Sequence, residues 1–326
     1  MINPSRRTFC GSIAALPLMA QRAFAAEEFP SRPIRIIVPY PGGDGTDVIT
    51  RVLAQQMQKD LKVPIVISNV TGAAGLVGAL SMANSPPDGY TISLLASSHI
   101  THQTLYKKYD LFKQSVPISS LATAPFCLMV PPQSRFRTVE ELLKSIREQP
   151  GRISMATGGY GSAAHMAFEV LATKLGDIKV NHIPYKSGLE SAQAAAAGQV
   201  DFASTYIGGA APMIKSGLGR ALAVTSARRL APLPDVPTIA ETIAPNYDYN
   251  VLLFYGAPPK TPAPIVDALA KAIASAARSP ELAILFDTLA HQLHVSKSSD
   301  DLNKELQAAI MAEENLIRDR GIKVES

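Results

Sequence analysis

The stretch Pro41-Gly42-Gly43-Asp44-Gly45-Thr46-Asp47 follows a β-branched run, Ile34 to Val38, and precedes apolar residues at Val48/Ile49, Val52/Leu53 and Met57. Apolar positions four apart lie on one helical face, so the stretch is a strand-to-helix loop. Glycines leave backbone N–H groups uncovered, and the first turn of a helix carries N–H groups without intrahelical acceptors. With the positive end of the helix dipole, those donors suit a carboxylate or phosphate. Thr46-Asp47 is the expected N-cap pair. Asp47 serves either the ligand or the helix dipole, and Tyr40 is either a cleft wall or a packing aromatic. Asp44 differs, because it stands inside an anion-attracting loop. There a carboxylate repels an anionic ligand group or accepts a hydrogen bond from an amine or amide.

Other chemistries fit poorly. No G-x-x-x-x-G-K-[ST] occurs, which excludes a P-loop. Gly159-Tyr160-Gly161-Ser162-Ala163-Ala164 matches G-x-G-x-x-A between strand and helix, but the following strand ends at Pro184-Tyr185-Lys186, with no acid to hold a ribose. No serine sits in G-x-S-x-G, and Cys127, in the apolar run Phe126 to Val130, reads as a buried inert thiol. The six histidines do not form H-E-x-x-H, and the i,i+3 pairs His99/His102 and His291/His294 have no carboxylate cluster nearby. No enzyme, cofactor or metal is therefore expected. Lys186 reads as a solvated side chain more readily than as a ligand clamp.

The positioning elements alternate. Strands are predicted at 34–38, 63–70 and 90–95, with helices at 47–60 and from the Thr71–Gly75 turn to about Ala83. A long strand, 118–130, stops at Pro131-Pro132. Thr138-Val139-Glu140-Glu141 and Ser187-Gly188-Leu189-Glu190 read as capping boxes. Strands at 152–156, 180–183, 200–204 and 220–225 enclose helices at 163–174 and 192–197, and a strand at 252–257 precedes helices at 263–277 and 299–320. Alternation of this kind implies a parallel sheet covered on both faces. The chain crosses between two lobes near 125–131 and 250–257, with 26–125 plus 258–326 in one lobe and 130–250 in the other. Each lobe presents a glycine loop, and in open α/β sheets ligands sit beyond the carboxyl ends of the strands. Ser97, Ser98, Thr157 and Ser162 stand at strand ends or a helix start, where a hydroxyl reaches the cleft or caps a turn. A bilobal solute receptor closing by hinge motion is the expected form.

The first 25 residues read as an address. Ser5-Arg6-Arg7-Thr8-Phe9 matches the twin-arginine pattern, a weakly apolar stretch follows, and Ala23-Phe24-Ala25 is an A-x-A cleavage site. Loss of Arg6, Arg7 and Arg22 leaves 28 basic and 27 acidic residues, so the basic balance argues nothing about nucleic acid. Cys10 leaves too, and Cys127 alone makes no intrachain disulfide. No apolar run reaches 18 residues beyond the leader. A soluble, exported, monomeric product is expected.

The chain resembles the tripartite tricarboxylate transporter substrate-binding proteins, the Bug receptors. The resemblance rests on the run Phe29 to Pro41 and its glycine loop, Pro87-Asp88-Gly89-Tyr90-Thr91, His182-Ile183-Pro184-Tyr185-Lys186 and Gly198-Gln199-Val200-Asp201. It continues through Arg220 to Ser226, Leu233-Pro234-Asp235-Val236-Pro237-Thr238 and Thr261-Pro262-Ala263-Pro264. This implies an α/β, two-lobed periplasmic-binding-protein fold of the type II kind that closes on a small carboxylate and performs no chemistry on it. Backbone amides of the first loop are implied to grip the ligand, and membrane permease subunits are the implied partners. The expected contact set is Tyr40, Gly42, Gly43, Asp44, Gly45, Thr46, Asp47, Ser97, Ser98, Thr157, Gly161, Ser162, Ala163 and Asp201. Two departures stand out. Asp44 replaces a usual third glycine, and Val70 follows Asn69 where an arginine is usual. A lost cation and a gained anion point to one carboxylate plus an amine, amide or ring nitrogen, or to a neutral amide. A periplasmic sensor partner of a membrane signalling protein would use the same cleft.

Overall fold

Two sheets share one strand. The computed structural model describes residues 29–322; the leader and its cleavage site lie outside them. Along the chain β1 (Ile34–Val38) leads to α1 (Gly45–Leu61), β2 (Ile65–Asn69) to α2 (Leu76–Ala83), and β3 (Thr91–Ala96) to α3 (Ser98–Thr104) and α4 (Leu111–Gln114). Then come β4 (Val116–Val130), α5 (Val139–Glu148), β5 (Ser154–Thr157), α6 (Ala163–Lys174), β6 (Asn181–Pro184) and α7 (Gly188–Ala196). After these stand β7 (Phe202–Tyr206), α8 (Ile207–Lys215), β8 (Arg220–Val224), α9 (Ile239–Thr242) and β9 (Asn250–Ala257). The chain closes with α10 (Ala263–Ala276), α11 (Pro280–Leu289), β10 (Gln292–Leu293) and α12 (Ser299–Arg320).

In the first sheet β2, β1 and β3 run parallel and β9 joins β3 antiparallel, with Ala96 opposite Leu253. β9 pairs with β4 along its whole length, from Val116↔Ala257 to Pro125↔Asn250. Pro125 has no N–H to extend that ladder. From Phe126 onward β4 turns to β7 and β8 instead, with Phe126 opposite Tyr206. The Phe126 N–H is satisfied by Thr225 Oγ1 at 2.8 Å. β7, β5 and β6 then run parallel in the second sheet. The result is a two-lobed α/β architecture, with β4 common to both sheets.

Both faces of each sheet are covered, as buried parallel strands require. Ile34, Ile36 and Val38 pack under α1, α10 and α11, while Ile37 and Leu95 face α2, α3 and α12. In the second sheet Met155 and Phe202 face α5, α6 and α9. Cys127 and Met129 face α7 and α8, and burial pushes the Cys127 thiol up to about 12. Thr138 and Ser187 cap α5 and α7 through the N–H groups of Glu141 and Glu190. The two glutamates reach one residue further back than a capping box, to the N–H of Arg137 and of Lys186. The reciprocal box forms instead at Thr238 and Glu241. No helix among the described residues is long and apolar enough to cross a membrane.

Candidate functional site

Five strands of the two sheets, β1, β3, β5, β6 and β7, end at one place, and each feeds a helix whose opening residues face the same cavity. Its volume is about 200 Å³. Thr46 comes from the first turn of α1, Ser98 from α3, Ala163 and Ala164 from α6 and Gly188 from α7. Tyr206 is the N-cap of α8. Tyr40, Asp44, Ala96, Phe126, Gly158, Ser162, Val251 and Leu253 complete the lining. No lysine, arginine or histidine is among these residues, so any anionic group here must rely on backbone donors and helix dipoles. Asp44 supplies the one formal charge.

The first loop is more self-contained than its glycines suggest. Asp44, not Thr46-Asp47, is the N-cap, at φ −66° and ψ 157°. Its extended backbone lets Oδ1 reach the Thr46 N–H at 2.6 Å, and the Thr46 hydroxyl donates to the same atom. Thr46 and Asp47 consequently lie inside the helix. Asp47 is 1% exposed and accepts from Gly43 N at 2.8 Å, Arg51 Nε at 2.9 Å and Asn69 Nδ2 at 2.9 Å. Asn69 Nδ2 also donates to the Tyr40 carbonyl at 3.0 Å, and its Oδ1 accepts from Arg51 at 3.1 Å. Burial alone would raise the Asp47 pKa, but bonds from Arg51, Gly43 and Asn69 outweigh it and hold the carboxyl below its usual range. Asp47 therefore braces the loop from behind and does not face the cavity. The N–H of Asp44 is also used, by the Pro41 carbonyl at 3.3 Å.

The second loop also spends N–H groups of its own, Gly159 donating to Thr157 Oγ1 at 3.3 Å and Ser162 to the Gly159 carbonyl at 3.1 Å. Ser162 caps α6 by taking the His165 N–H at 3.3 Å on Oγ and the Met166 N–H at 2.9 Å on its carbonyl. The first-turn amides of Ala163 and Ala164 are not used by that cap. Ser187 treats α7 alike, taking the N–H groups of Glu190 and Ser191 and not that of Gly188. Gly158 lets the two turns approach, since a Cβ there would stand 2.8 Å from Gly188 N. Behind the loop His165 and His182 stack with centroids 4.3 Å apart and planes within 6°. Burial depresses them to about 3 and about 4. The neutral His165 Nδ1 accepts the Gly161 N–H at 3.0 Å, and His182 Nε2 pairs with Thr157 Oγ1 at 2.7 Å. Gly161 adopts φ +68°, with Leu105 and Tyr106 close by.

Tyrosines close the sides. Tyr40 Oη lies 3.4 Å from Ser98 Oγ, and burial pushes this phenol to about 12, with Ser98 opposing and Asp44 adding to the rise. Tyr206 bonds through its hydroxyl to His291 Nε2. Burial raises its pKa well above the ordinary value, with smaller upward contributions from Asp44 and Tyr40.

Of the residues expected from sequence, Tyr40, Asp44, Thr46, Ser98, Ser162 and Ala163 line the cavity together. Gly42, Gly43, Gly45 and Gly161 shape the loops without lining it. Thr157 is buried behind its loop, and Ser97 Oγ is turned to the Leu252 N–H at 2.9 Å. Asp201 is misplaced by the sequence reading: it precedes β7, at the amino end of a strand whose carboxyl end faces the cavity. Its Oδ2 there accepts from Ser154 N at 2.8 Å and Ser154 Oγ at 2.7 Å. Ala96, Phe126, Gly158, Ala164, Gly188, Tyr206, Val251 and Leu253 were not anticipated. Tyr206 carried a usable signal, the end of a strand in the second sheet. Val251 and Leu253 carried none, because only the antiparallel β9 register sets them opposite β3 and β4.

This convergence defines a ligand-binding α/β protein. The chain belongs to the tripartite tricarboxylate transporter family of receptors, whose family model matches residues 49–322. It is 34% identical over 281 residues to a Pseudomonas sp. (strain P51) protein encoded in the tcbD-tcbE intergenic region, covering 85% of this chain and 83% of that protein. It is 34% identical over 227 residues to BugT of Bordetella pertussis, covering 68% and 69%. Among solved structures, the periplasmic binding protein BugD superposes with a TM-score of 0.79 at 27% identity, over 91% of this chain and all of that one. An R. palustris protein with adipate gives 0.81 at 28% identity, over 90% and 99%. MatC from Rhodopseudomonas palustris with bound malate gives 0.76 at 26%, over 89% and 100%. The family and these neighbours are solute-binding proteins, not enzymes.

Proposed function

We propose that this chain is a periplasmic receptor that captures a small organic carboxylate, or a related amide- or nitrogen-bearing solute, for a tripartite tricarboxylate-type transporter. The observation that carries the reading is the convergence of helix openings from both sheets on one cavity whose lining has no basic side chain. Such a site recognises an anion by main-chain dipoles and leaves side chains to discriminate. The adipate and malate of the neighbouring structures are consistent with that chemistry. Asp44 turns the preference away from polyanions and towards one carboxylate plus an N–H group. The protein leaves the cytoplasm by the twin-arginine route, acts as a monomer and delivers to a membrane permease pair. Among the described residues, 29–125 with 258–322 form one lobe and 130–250 the other in this reading. Closure pivots at Pro125/Phe126 and just before Asn250.

Thermal-shift screening of the mature protein across organic acids, amino acids and pyridine carboxylates tests the reading. A true ligand stabilises only the folded state, by roughly 2.7 kcal/mol at a hundredfold excess over Kd. A screen in which no carboxylate or amide raises the Tm sinks it, and so does turnover of a bound compound. Solute uptake that is unchanged in a deletion strain assigns the receptor to a membrane sensor instead.

A further inference from the structure

The wall formed by Asp44 and Tyr206 has a fixed hydrogen-bonding sense, set by a histidine 85 residues from the tyrosine in sequence. His291 is 5% exposed, at the end of α11, and its Nδ1 lies 3.1 Å from the Leu289 carbonyl oxygen. A carbonyl only accepts, so Nδ1 carries the proton. The imidazole is neutral, burial holding it down to about 4. Nε2 is thus a lone-pair acceptor, and its partner is the Tyr206 hydroxyl. That O–H must donate to Nε2, which leaves only lone pairs on the tyrosine oxygen for any other partner. Asp44 adds carboxylate oxygens, which are acceptors as well. The openings of α6 and α7 offer the reverse, N–H groups of Ala163, Ala164 and Gly188.

We propose that Tyr206, positioned by His291, determines specificity: with Asp44 it forms a wall that only accepts hydrogen bonds, so the site takes a carboxylate whose far end is an ammonium or primary amide. This rests on the cavity being the solute site. The carboxylate lies against the openings of α6 and α7, and the N–H group lies against Asp44 and Tyr206. A dicarboxylate would set its second charge against Asp44 and against an oxygen with no proton to give.

Calorimetry with succinate, succinamate and β-alanine, and with homologues one and two methylenes longer, tests this. All contain a carboxylate, and members of each set differ at the far end. The wild type is expected to bind the amide or ammonium member at least tenfold tighter than the dicarboxylate of equal length. Tyr206→Phe, which keeps the ring beside Phe126, should cut that ratio three- to tenfold by weakening the N–H ligand. His291→Leu should narrow it from the other side, because the freed hydroxyl proton then favours the dicarboxylate. Tyr206→Phe carries the test alone should His291→Leu not fold. A wild-type preference for dicarboxylates overturns the inference and leaves the receptor reading standing. Equal weakening of all three ligands by both substitutions also overturns it, since that marks a purely structural role. Failure of every carboxylate to bind removes both.

Discussion

At the opening of α1 the glycine loop is braced by carboxylates, whereas at the opening of α6 it is braced by imidazoles. Asp44 and Asp47 take the amides of Thr46 and Gly43, and Asp47 ties the loop further to Arg51 and Asn69. The second loop is backed by the neutral pair His165 and His182, the first accepting the Gly161 N–H and the second paired with Thr157 Oγ1. Two glycine loops of similar composition therefore play different parts. The one backed by carboxylates brings a formal charge, Asp44, to the cavity lining. The one backed by imidazoles presents no formal charge to the cavity, which it lines with Gly158, Ser162, Ala163 and Ala164. Glycine content alone says that a loop brings its backbone close; what stands behind it decides the charge that accompanies the backbone.

Acid should separate the two most strongly. His99, His165, His182 and His291 all have depressed folded values, between about 3 and about 4. For a histidine the unfolded value is near 6.5, so the unfolded chain binds protons first as pH falls. Stability is then lost from about pH 6.5 down towards the folded values, by at most about 1.4 kcal/mol per pH unit for each group. His294, raised by its bond to Glu305, acts above that window, its contribution growing as pH falls towards 6.5 and staying constant below. Asp47 is depressed below the ordinary carboxylate value, so its contribution persists through that window and fails only at lower pH. The Tm should therefore drop steeply between pH 7 and pH 5, with hydrogen-exchange protection lost around Gly161 before Gly43. A flat Tm over that range, or earlier loss at Gly43, breaks the comparison.

Gly158→Val comes next. A Cβ already stands 2.8 Å from Gly188 N, so the branched side chain must force the α6 and α7 openings apart. Ligand affinity should fall at least about a hundredfold, or about 2.7 kcal/mol. Gly43→Ala makes the control, because at φ +82° it has open space and only backbone strain to oppose it. Comparable losses of affinity in both would show the loops to be equivalent after all.

Smaller effects distinguish the two kinds of backing. Asp47→Asn leaves three donors facing an amide and should cost roughly 2–3 kcal/mol in urea unfolding. Thr157→Val removes the hydroxyl's bonds to His182 Nε2 and to the Gly159 carbonyl and N–H and should cost about 1–2 kcal/mol. The reverse order would mean that the imidazole pair, not the carboxylate, is the stiffer support.

Much of this architecture is legible in the chain. The buried run Ile34–Val38, the helix Ala163–Lys174 and the closing helix Ser299–Arg320 are found where residue type and periodicity put them. The helix Ile207–Lys215 is not legible, because Gly208, Gly209 and Pro212 read as breakers. It forms because Ile207, Ala210 and Ala211 are buried against the second sheet, and packing overrides propensity. Missing that helix hides Tyr206 as its N-cap. Missing Pro280–Leu289, despite a serine–proline start, hides the placement of His291.

Sequence by itself determined the alternation of strands and helices, the two glycine turns at strand ends and the family to which they belong. Those features are local, written in periods of two and 3.6 residues and in the backbone freedom of glycine. Only the tertiary structure decided which amides remain for a ligand, that Asp47 braces while Asp44 faces inward, and that His291 orients Tyr206. Those outcomes depend on donors and acceptors far apart in the chain, which meet only when both sheets have packed around β4.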